Sequence, residues 1–438
     1  MKNNVLCLFL IIIFFTSSAQ AQQPTLAWAK GMGGTYDDHA NAMVVDAAGN
    51  VYTTGQFTGT VDFDPGPAVY NLTTFGAAGN TNANVFVSKL DADGNFIWVK
   101  QMGGRSDNAY AIALDAAGNI YTTGTFILTA DFDPGPSVFN LTQTGFSSAD
   151  MFVSKLDAMG NFVWAKRIGG DGYVIPSSIA IDAGGNVVTT GSVNSAYQSN
   201  GTILSLDFDP GPGVFNITST TGGYDDVFVC KLDASGNFVW AKRFGGSNSD
   251  KGFGIAIDAT GNIFTTGSFI GTADFDPAAG TANLTSAGLT DIFISKLDAS
   301  GNFIWAKRMG GIKDDYASAI ALDAYGNIHT TGQFTGTVDF DPGAGIANLT
   351  AAGSFNYPDI FVSKLDAAGN YIWAKNMGGE SADRGVSITL DALGNVYTTG
   401  EFNGNADFDP GAGVANITAA STNTGGGTDL TLALLFLI

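Results

Sequence analysis

The chain has 438 residues, of which 45% are hydrophobic and 13% are charged, and its formal net charge is −21. This composition excludes intrinsic disorder, which requires low hydrophobicity. The negative charge argues against nucleic acid and anionic membranes as partners, because affinity for phosphate comes mainly from Lys and Arg.

Residues 1–21 have the pattern of a secretory signal peptide. Lys2 gives a basic start, residues 5–15 are apolar, and Ala19-Gln20-Ala21 is a cleavage site of the A-x-A type. The apolar stretch is too short to span a membrane. We therefore predict cleavage after Ala21 and an exported protein, secreted or at the cell surface, with no membrane span.

A long repeat follows the signal peptide. Tryptophans recur at intervals of 65 to 76 residues, at Trp28, Trp98, Trp164, Trp240, Trp305 and Trp373. The motif Asp-Ala-x-Gly-Asn occurs eleven times between apolar β-forming segments. Asp suits the first position of a type I turn and Gly suits a left-handed position, so each motif predicts a tight hairpin. Each repeat then holds two hairpins, or four strands.

The repeat at 298–375 shows the four strands, which we name A to D. They are predicted at 318–323 (A), 327–334 (B), 360–366 (C) and 370–375 (D). The A–B and C–D links are tight, the D–A link contains Gly-Gly and runs about ten residues, and the long B–C link is an insert. Antiparallel four-stranded units repeated in this way predict an all-β fold, a β-propeller.

The two ends of the chain set the predicted blade number within a single domain, 22–438. Residues 26–30 supply only a D strand, and five complete blades end at Trp98, Trp164, Trp240, Trp305 and Trp373. Strands at 386–391, 395–402 and a degenerate 430–435 follow. We predict six blades, the last (376–438) completed by 26–30, and a monomer. Seven blades remain the alternative if the C-terminus is truncated.

The repeat resembles the SBBP-type β-propeller repeat of secreted bacterial proteins. The residues that carry the resemblance are Asn108–Gly124 and, nearly as well, Asp315–Gly332. The same stretch is similar to the NHL-repeat blade, although the inserts are longer here. The resemblance implies the fold, with strand A innermost, and implies no activity.

The candidate metal site is an Asp-Phe-Asp motif in each insert. Side chains at i and i+2 of an extended segment share one face, so the two carboxylates point the same way and the Phe points inward. The pairs are Asp62/Asp64, Asp131/Asp133, Asp207/Asp209, Asp274/Asp276, Asp339/Asp341 and Asp407/Asp409. Two interpretations stand: each Asp caps the turn, or each pair binds calcium, which prefers oxygen ligands.

Other candidate groups are few. His39 is expected to be solvated, His329 to replace a packing Tyr, and Cys230 to be a buried, inert thiol. Blade three departs from the pattern, which makes Tyr173, Tyr197 and Gln198 candidates for ligand contact. Loop acids are expected to gather with the inserts on one propeller face, the predicted binding surface; they are Asp37, Asp38, Asp107, Asp250, Asp314, Asp315 and Asp383.

These features favour an exported, non-catalytic binding or surface scaffold for a glycan or protein, with calcium as a possible stabiliser. The sequence contains no P-loop, metal-binding His cluster or Gly-x-Ser-x-Gly motif. A glycan-active enzyme that uses the acidic loop face is the alternative, since paired carboxylates can perform glycoside chemistry. A fragment with no function of its own is the third hypothesis.

Overall fold

A computed structural model describes residues 28–75, 82–145, 149–195, 201, 203–353, 357–419 and 435–437, which contain strands and loops and no helix. The first three blades contain β1 (Gly33–Gly34), β2 (His39–Val45), β3 (Val51–Thr58), β4 (Thr60–Asp62), β5 (Asn71–Thr73), β6 (Ala83–Leu90), β7 (Phe96–Leu114), β8 (Ile120–Asp131), β9 (Asn140–Thr142), β10 (Asp150–Leu156), β11 (Phe162–Gly170), β12 (Gly172–Ile181), β13 (Val187–Ser195), β14 (Leu206–Asp207), β15 (Asn216–Ile217), β16 (Asp226–Leu232) and β17 (Phe238–Gly246).

The remaining blades contain β18 (Lys251–Ile257), β19 (Ile263–Asp274), β20 (Asn283–Leu297), β21 (Phe303–Gly311), β22 (Tyr316–Leu322), β23 (Ile328–Phe334), β24 (Thr337–Asp339), β25 (Asn348–Thr350), β26 (Asp359–Leu365), β27 (Tyr371–Gly379), β28 (Arg384–Leu390), β29 (Val396–Glu401), β30 (Asn405–Asp407), β31 (Asn416–Thr418) and β32 (Leu435–Leu437). The insert motif Asn-x-Thr begins a strand in each blade, which has two or three residues except in the fourth, where β20 continues into strand C.

Each complete blade is an antiparallel sheet in the predicted A–B–C–D order. In the fifth blade β22 pairs with β23, β23 with β26, and β26 with β27. These strands match the four segments predicted from the sequence, which confirms the blade. Strand β7 is longer than predicted because it is D of the first blade and then A of the second.

The Asp-Ala-x-Gly-Asn motifs form the predicted hairpins. In one copy the Asp323 N–H donates to the Asn327 carbonyl and the Gly326 N–H donates to the Asp323 carbonyl, and the same two hydrogen bonds close the other ten copies. Gly326 has a φ of +78°, a left-handed conformation that favours glycine. The Asp323 carboxylate also accepts the N–H groups of Tyr325 and Asn327.

Consecutive blades share their hydrophobic cores. One cluster joins Tyr121 and Val153 of the second blade to Val187 and Phe228 of the third, and the other large clusters likewise combine neighbouring blades. Burying one such Phe contributes roughly 1.5–3 kcal/mol relative to exposure. The blades are therefore held together by side chains that neither blade could bury alone.

The Gly-Gly pairs differ from the prediction, which placed them in the D–A loop. They end strand D and pair with the next blade's insert, as Gly310 does with Asp339 and Gly311 with Val338. A Cβ atom on Gly311 would lie 2.3 Å from the Thr337 carbonyl oxygen, so the close approach requires glycine. Each D strand thus crosses into the following blade.

Each insert pairs with the Gly-Gly that ends the preceding D strand. Strand β14 pairs with the preceding blade's D strand, β11, while Phe215 of the same insert stacks on Phe238 of its own blade's D strand.

The chain ends carry the sixth blade only in part. Trp28 Nε1 donates to the Ala92 carbonyl, as Trp164 Nε1 does to Ala234, so Trp28 stands where the D-strand Trp of a preceding blade would stand. Strand β32 pairs with β29 and begins at the last residue of the predicted segment 430–435, the rest of which lies outside the described residues. In the described part of the chain no D strand lies beside β32, so ring closure and blade number stay predictions.

Candidate functional site

The Asp-Phe-Asp motifs anchor the inserts. All six central Phe side chains are at most 4% exposed, which confirms their inward orientation. In the fifth blade Phe340 packs 5.5 Å from Phe334 and 5.0 Å from Phe361, measured between ring centroids. The Phe therefore holds the insert against its own blade.

The two carboxylates of each pair cap the turn that follows. Asp339 Oδ1 accepts the N–H groups of Asp341 and Ala347, at 3.0 and 2.8 Å. Asp341 Oδ1 accepts the Gly343 N–H at 2.8 Å. Three backbone donors of one insert are thus satisfied by two side chains of the same insert.

The other five pairs repeat these three bonds. The first carboxylate of each pair accepts two N–H groups through Oδ1, at Asp62, Asp131, Asp207, Asp274 and Asp407. The second accepts the N–H of the residue two positions on, at Asp64, Asp133, Asp209, Asp276 and Asp409. The donor to this second carboxylate is a glycine in every blade except the fourth, where it is Ala278.

This geometry is that of turn capping, one of the two interpretations of the motif. Within the described ranges no group of three or more His, Cys, Asp or Glu side chains is arranged to hold a metal ion. The structure therefore brings no third ligand side chain of these types to any predicted pair, whether Asp62/Asp64, Asp131/Asp133, Asp207/Asp209, Asp274/Asp276, Asp339/Asp341 or Asp407/Asp409. Each pair still leaves one oxygen per carboxylate outside the turn bonds, so calcium at the pairs stays an untested hypothesis.

The insert tips present exposed aliphatic side chains, one on each of five of the six inserts. Their exposed fractions lie between 68% and 79%; the residues are Val69, Val138, Val214, Ile346 and Val414. Thr281 holds the equivalent position in the fourth blade. Such a repeated apolar row at the rim is an accessible surface that the core does not use.

Half-exposed aromatic pairs lie beside this row in the first three blades. The centroids of Tyr70 and Phe96 are 5.0 Å apart, and the pairs Phe139/Phe162 and Phe215/Phe238 are 4.7 and 4.8 Å apart. The later blades have Ala in place of the insert aromatic. A shallow pocket of about 210 Å³ opens next to the second pair, between Lys100, Pro136 and Phe162. Sequence reasoning missed this surface, although the repeated Val before the Asn-x-Thr strand signalled it.

Most of the loop acids are not on the surface, which corrects the expectation of an acidic binding face. Asp107, Asp250, Asp315 and Asp383 are fully buried. Each accepts the N–H of the second glycine of the Gly-Gly pair and an N–H at the end of strand B; Asp315 does so from Gly311 at 2.8 Å and Thr335 at 3.0 Å. They join the D strand of one blade to strand B of the next.

Burial alters the pKa of these acids. Desolvation raises the pKa of Asp107 to about 6 and that of Asp250, Asp315 and Asp383 to about 7, although hydrogen bonds to the backbone act in the opposite direction. Neighbouring carboxylates add to the increase at the last three.

A second buried polar group lies at the start of strand C in each of the first five blades. Asp150, Asp226 and Asp291 pair with D-strand arginines, with Arg308 Nη1 lying 2.6 Å from Asp291 Oδ2. The first blade has the neutral counterparts, and Gln101 Nε2 donates to Asn84 Oδ1 at 2.9 Å. The fifth blade has Asp359 and Asn376. Desolvation raises the pKa of Asp150, Asp226 and Asp291 in spite of their arginines.

Blade three differs from its neighbours at the start of strand A. Tyr173, on strand β12, is 44% exposed, and the next residue, Val174, is buried where the other blades have the junction Asp. Tyr197 and Gln198 lie outside the described residues. A role for Tyr173 in ligand contact stays a prediction.

The remaining candidate groups are structural. His329 is buried and meets Trp373 edge-on at 6.0 Å, as Tyr121 meets Trp164 at 6.1 Å, which agrees with the packing interpretation. Burial, together with Lys364, lowers the pKa of His329 to about 4. Cys230 is a buried free thiol whose pKa burial raises. Within the described residues, no helix has the length and hydropathy to cross a membrane.

Comparison with known proteins agrees with the blades. The model of the SBBP family, a β-propeller repeat, matches residues 97–125 and 239–271. The first segment runs from strand D of the first blade to strand B of the second. The second segment runs from strand D of the third blade to strand B of the fourth. Two segments of the chain thus match the SBBP repeat, and the antiparallel blades are those of a β-propeller.

Two curated proteins are similar in sequence. An uncharacterized WD repeat-containing protein of Acanthamoeba polyphaga mimivirus is 24% identical over 86% of this chain and 30% of its own length. The regulatory protein FlaEY of Caulobacter vibrioides is 25% identical over 64% of this chain and 29% of its own. The matches thus span under a third of both relatives. Among solved structures, Sqt1 of Chaetomium thermophilum aligns with a TM-score of 0.38 and 13% identity, over 91% of this chain and 88% of its own.

Proposed function

We propose that this propeller is an exported, monomeric, non-catalytic scaffold that binds a glycan or a protein through the rim of its inserts. The observation that carries the proposal is the row of exposed aliphatic insert tips, Val69, Val138, Val214, Ile346 and Val414. Loops held on a rigid scaffold are where binding residues usually lie.

The rim has properties that suit recognition. The stacked aromatic pairs of the first three blades lie half-exposed beside the aliphatic tips, so a ligand meets flat apolar surfaces at regular spacing. Aromatic side chains give large contact area with little conformational entropy to lose, which favours their use in binding. Each tip is fixed by two capping carboxylates and a buried Phe, which keeps the surface pre-organised.

The test uses mature protein (residues 22–438) applied to arrays of immobilised glycans and of peptides. A variant with Val69→Ser, Val138→Ser and Val214→Ser should lose at least about tenfold in signal on whichever array responds, since each lost apolar contact weakens binding by about 1 kcal/mol. A matched control carries Tyr325→Ser and Leu393→Ser, two residues equally exposed on the A–B hairpins. The control should bind as the parent does.

Equal loss in both variants, or none in either, would remove the rim from the proposal. The alternative, a glycan-active enzyme, predicts release of reducing ends from a soluble polysaccharide, and turnover by the parent protein would favour it. Tyr173→Ala tests the blade-three contact separately, because Tyr173 lies on strand A and not on an insert.

A further inference from the structure

The junction between the fifth and sixth blades buries two facing carboxylates. Asp359 begins strand β26 and Asp383 precedes β28, and both side chains are fully buried. A Cβ atom on Gly378 would lie 2.6 Å from Asp359 Oδ1 and 2.9 Å from Asp383 Oδ2. The two oxygens therefore face the same point beside the Gly378 backbone.

One of these oxygens has no hydrogen-bond partner. Asp359 Oδ2 accepts the Ala352 N–H at 2.8 Å, and Asp383 accepts the N–H groups of Gly379 and Asn403 through its two oxygens. Asp359 Oδ1 is buried and unpartnered. Two ionised carboxylates in this arrangement would repel each other with little water to screen them.

The first junction shows what this position requires. Asn84 stands where Asp359 stands, and its Oδ1 accepts the Phe75 N–H at 2.7 Å, as Asp359 Oδ2 accepts an N–H. Its Nδ2 takes the place of the unpartnered oxygen and donates to the Gly104 carbonyl at 3.2 Å. The same Nδ2 and Asp107 Oδ2 both lie within 3.3 Å of a Cβ position on Gly103. A donor therefore occupies the site in the first junction.

Charge distinguishes the fifth junction from the other junctions in the described residues. The third and fourth blades also have two acids, but Arg243 and Arg308 pair with the strand-C acid. The second blade has Arg167 and the junction acid is replaced by Val174. In the fifth blade the arginine position is Asn376, whose side chain hydrogen-bonds Asp359, and the nearby charged residues Lys375, Glu380 and Arg384 are exposed. Two acids are thus left without a base.

We propose that Asp359 Oδ1 holds a proton in the folded protein near pH 6 and donates it to Asp383 Oδ2, forming one carboxylic acid–carboxylate hydrogen bond between blades five and six. The protonated Asp359 then has the same charge and the same donor as Asn84 in the first junction. Desolvation supports this arrangement, because it raises the pKa of Asp359 to about 6 and of Asp383 to about 7. The sixth blade is attached less firmly as the pH rises and the proton leaves.

The direct test counts the protons released when mature protein is unfolded by urea at pH 6 in weakly buffered solution. An unfolded Asp, with a pKa near 3.8, has lost its proton at this pH, so the pair should release about one. Asp359→Asn should release about one proton fewer than the parent. All other groups, including the two histidines, cancel in the difference.

Two further variants keep the test independent of any loss of folding in the first. Asn84→Asp builds the same acid pair in the first junction and should add about one released proton. Asn376→Arg supplies the guanidinium of the other blades and should lower the proton count. For each proton held, the unfolding equilibrium constant should rise about tenfold per pH unit between the two pKa values.

An unchanged proton count in Asp359→Asn would overturn the proposal. So would a count of zero for the pair together with stabilisation by added sodium or calcium that Asp359→Asn abolishes, because a cation would then take the place of the proton.

Discussion

The two ends of each blade use aspartate in opposite ways. At the hairpin end, Asp323 is partly exposed and receives N–H groups from Tyr325 and Asn327, and Lys364 Nζ lies 3.1 Å away. At the junction end, Asp315 is fully buried and accepts two N–H groups beside other carboxylates. The same residue type is a charged turn cap in one place and a buried connector in the other. Exposure to water and the number of hydrogen-bond donors decide which role an aspartate has, and its spacing in the sequence does not.

The pKa values follow this division. Although burial alone would raise it, hydrogen bonds from Asn327 and the interaction with Lys364 lower the pKa of Asp323 to about 2. Burial raises the pKa of Asp315 to about 7 despite two backbone hydrogen bonds. The hairpin acids therefore favour folding in their charged form, and the junction acids resist ionisation.

The largest expected effect is at a junction acid. Asp315→Ala leaves the Gly311 and Thr335 N–H groups buried without an acceptor and should reduce the free energy of unfolding by about 3 kcal/mol. Asp323→Ala, at the hairpin end, should cost about 1 kcal/mol because water can replace part of its role. Urea unfolding followed by circular dichroism measures both. Equal losses would contradict the division between the two ends.

A smaller loss of stability is expected when the acid that begins strand C loses its arginine. Arg308→Ala leaves Asp291 buried with the Ala287 N–H as its remaining hydrogen bond and should cost about 2 kcal/mol, since the guanidinium is one-third exposed. The matched control is Lys307→Ala on the same strand. A loss in the control as large as in Arg308→Ala would show that strand packing, and not the ion pair, is responsible.

The pH dependence of stability should have two limbs. The hairpin acids have a folded pKa below the unfolded value of 3.8, so their contribution is present above pH 4 and is lost as the pH falls through about 2. The junction acids have a folded pKa above 3.8, so their contribution is present below pH 4 and is lost as the pH rises through 6 to 7. Melting temperature should therefore be highest near pH 4 and should fall as the pH rises from 4 toward 7. A maximum of the melting temperature above pH 8 would contradict the raised pKa values of the junction acids.

The smallest effect separates turn caps from calcium sites in the inserts. Asp339→Asn keeps an oxygen acceptor and should change stability little, whereas Asp339→Ala loses two hydrogen bonds and should cost about 1 kcal/mol. Melts in calcium and in excess chelator should coincide. A calcium-dependent rise that Asp339→Asn abolishes would instead establish the metal-site hypothesis.

The sequence predicts what is local and repeated. The hairpins at Asp323 and Asp366 follow from turn chemistry, and the four strands of the fifth blade follow from the apolar segments between the turns. The inward Phe340 follows from alternation along an extended segment. These predictions need no knowledge of how distant segments meet.

The features that the sequence did not predict depend on contacts between segments that are distant in the chain. Gly310 and Gly311 look like loop glycines until strand β24 is placed beside them. Asp315 looks like a solvated loop acid, because nothing in its own segment shows that it is covered by the neighbouring blade. One signal was present: the joint change from Asp and Arg to Asn84 and Gln101 indicates that the two positions touch.

The crossing of each D strand into the following blade determines where the protein can be cut and rejoined. A blade excised as its four strands alone, such as β22 to β27, would lose the backbone partner of its own insert, because β24 pairs with Gly310 and Gly311 of the preceding D strand. Duplication or exchange of units is therefore best made in the exposed A–B hairpin, where both new ends lie outside every shared sheet. The modular unit of this chain is offset from the blade, and the SBBP match at 97–125, which begins in one blade and ends in the next, follows that offset.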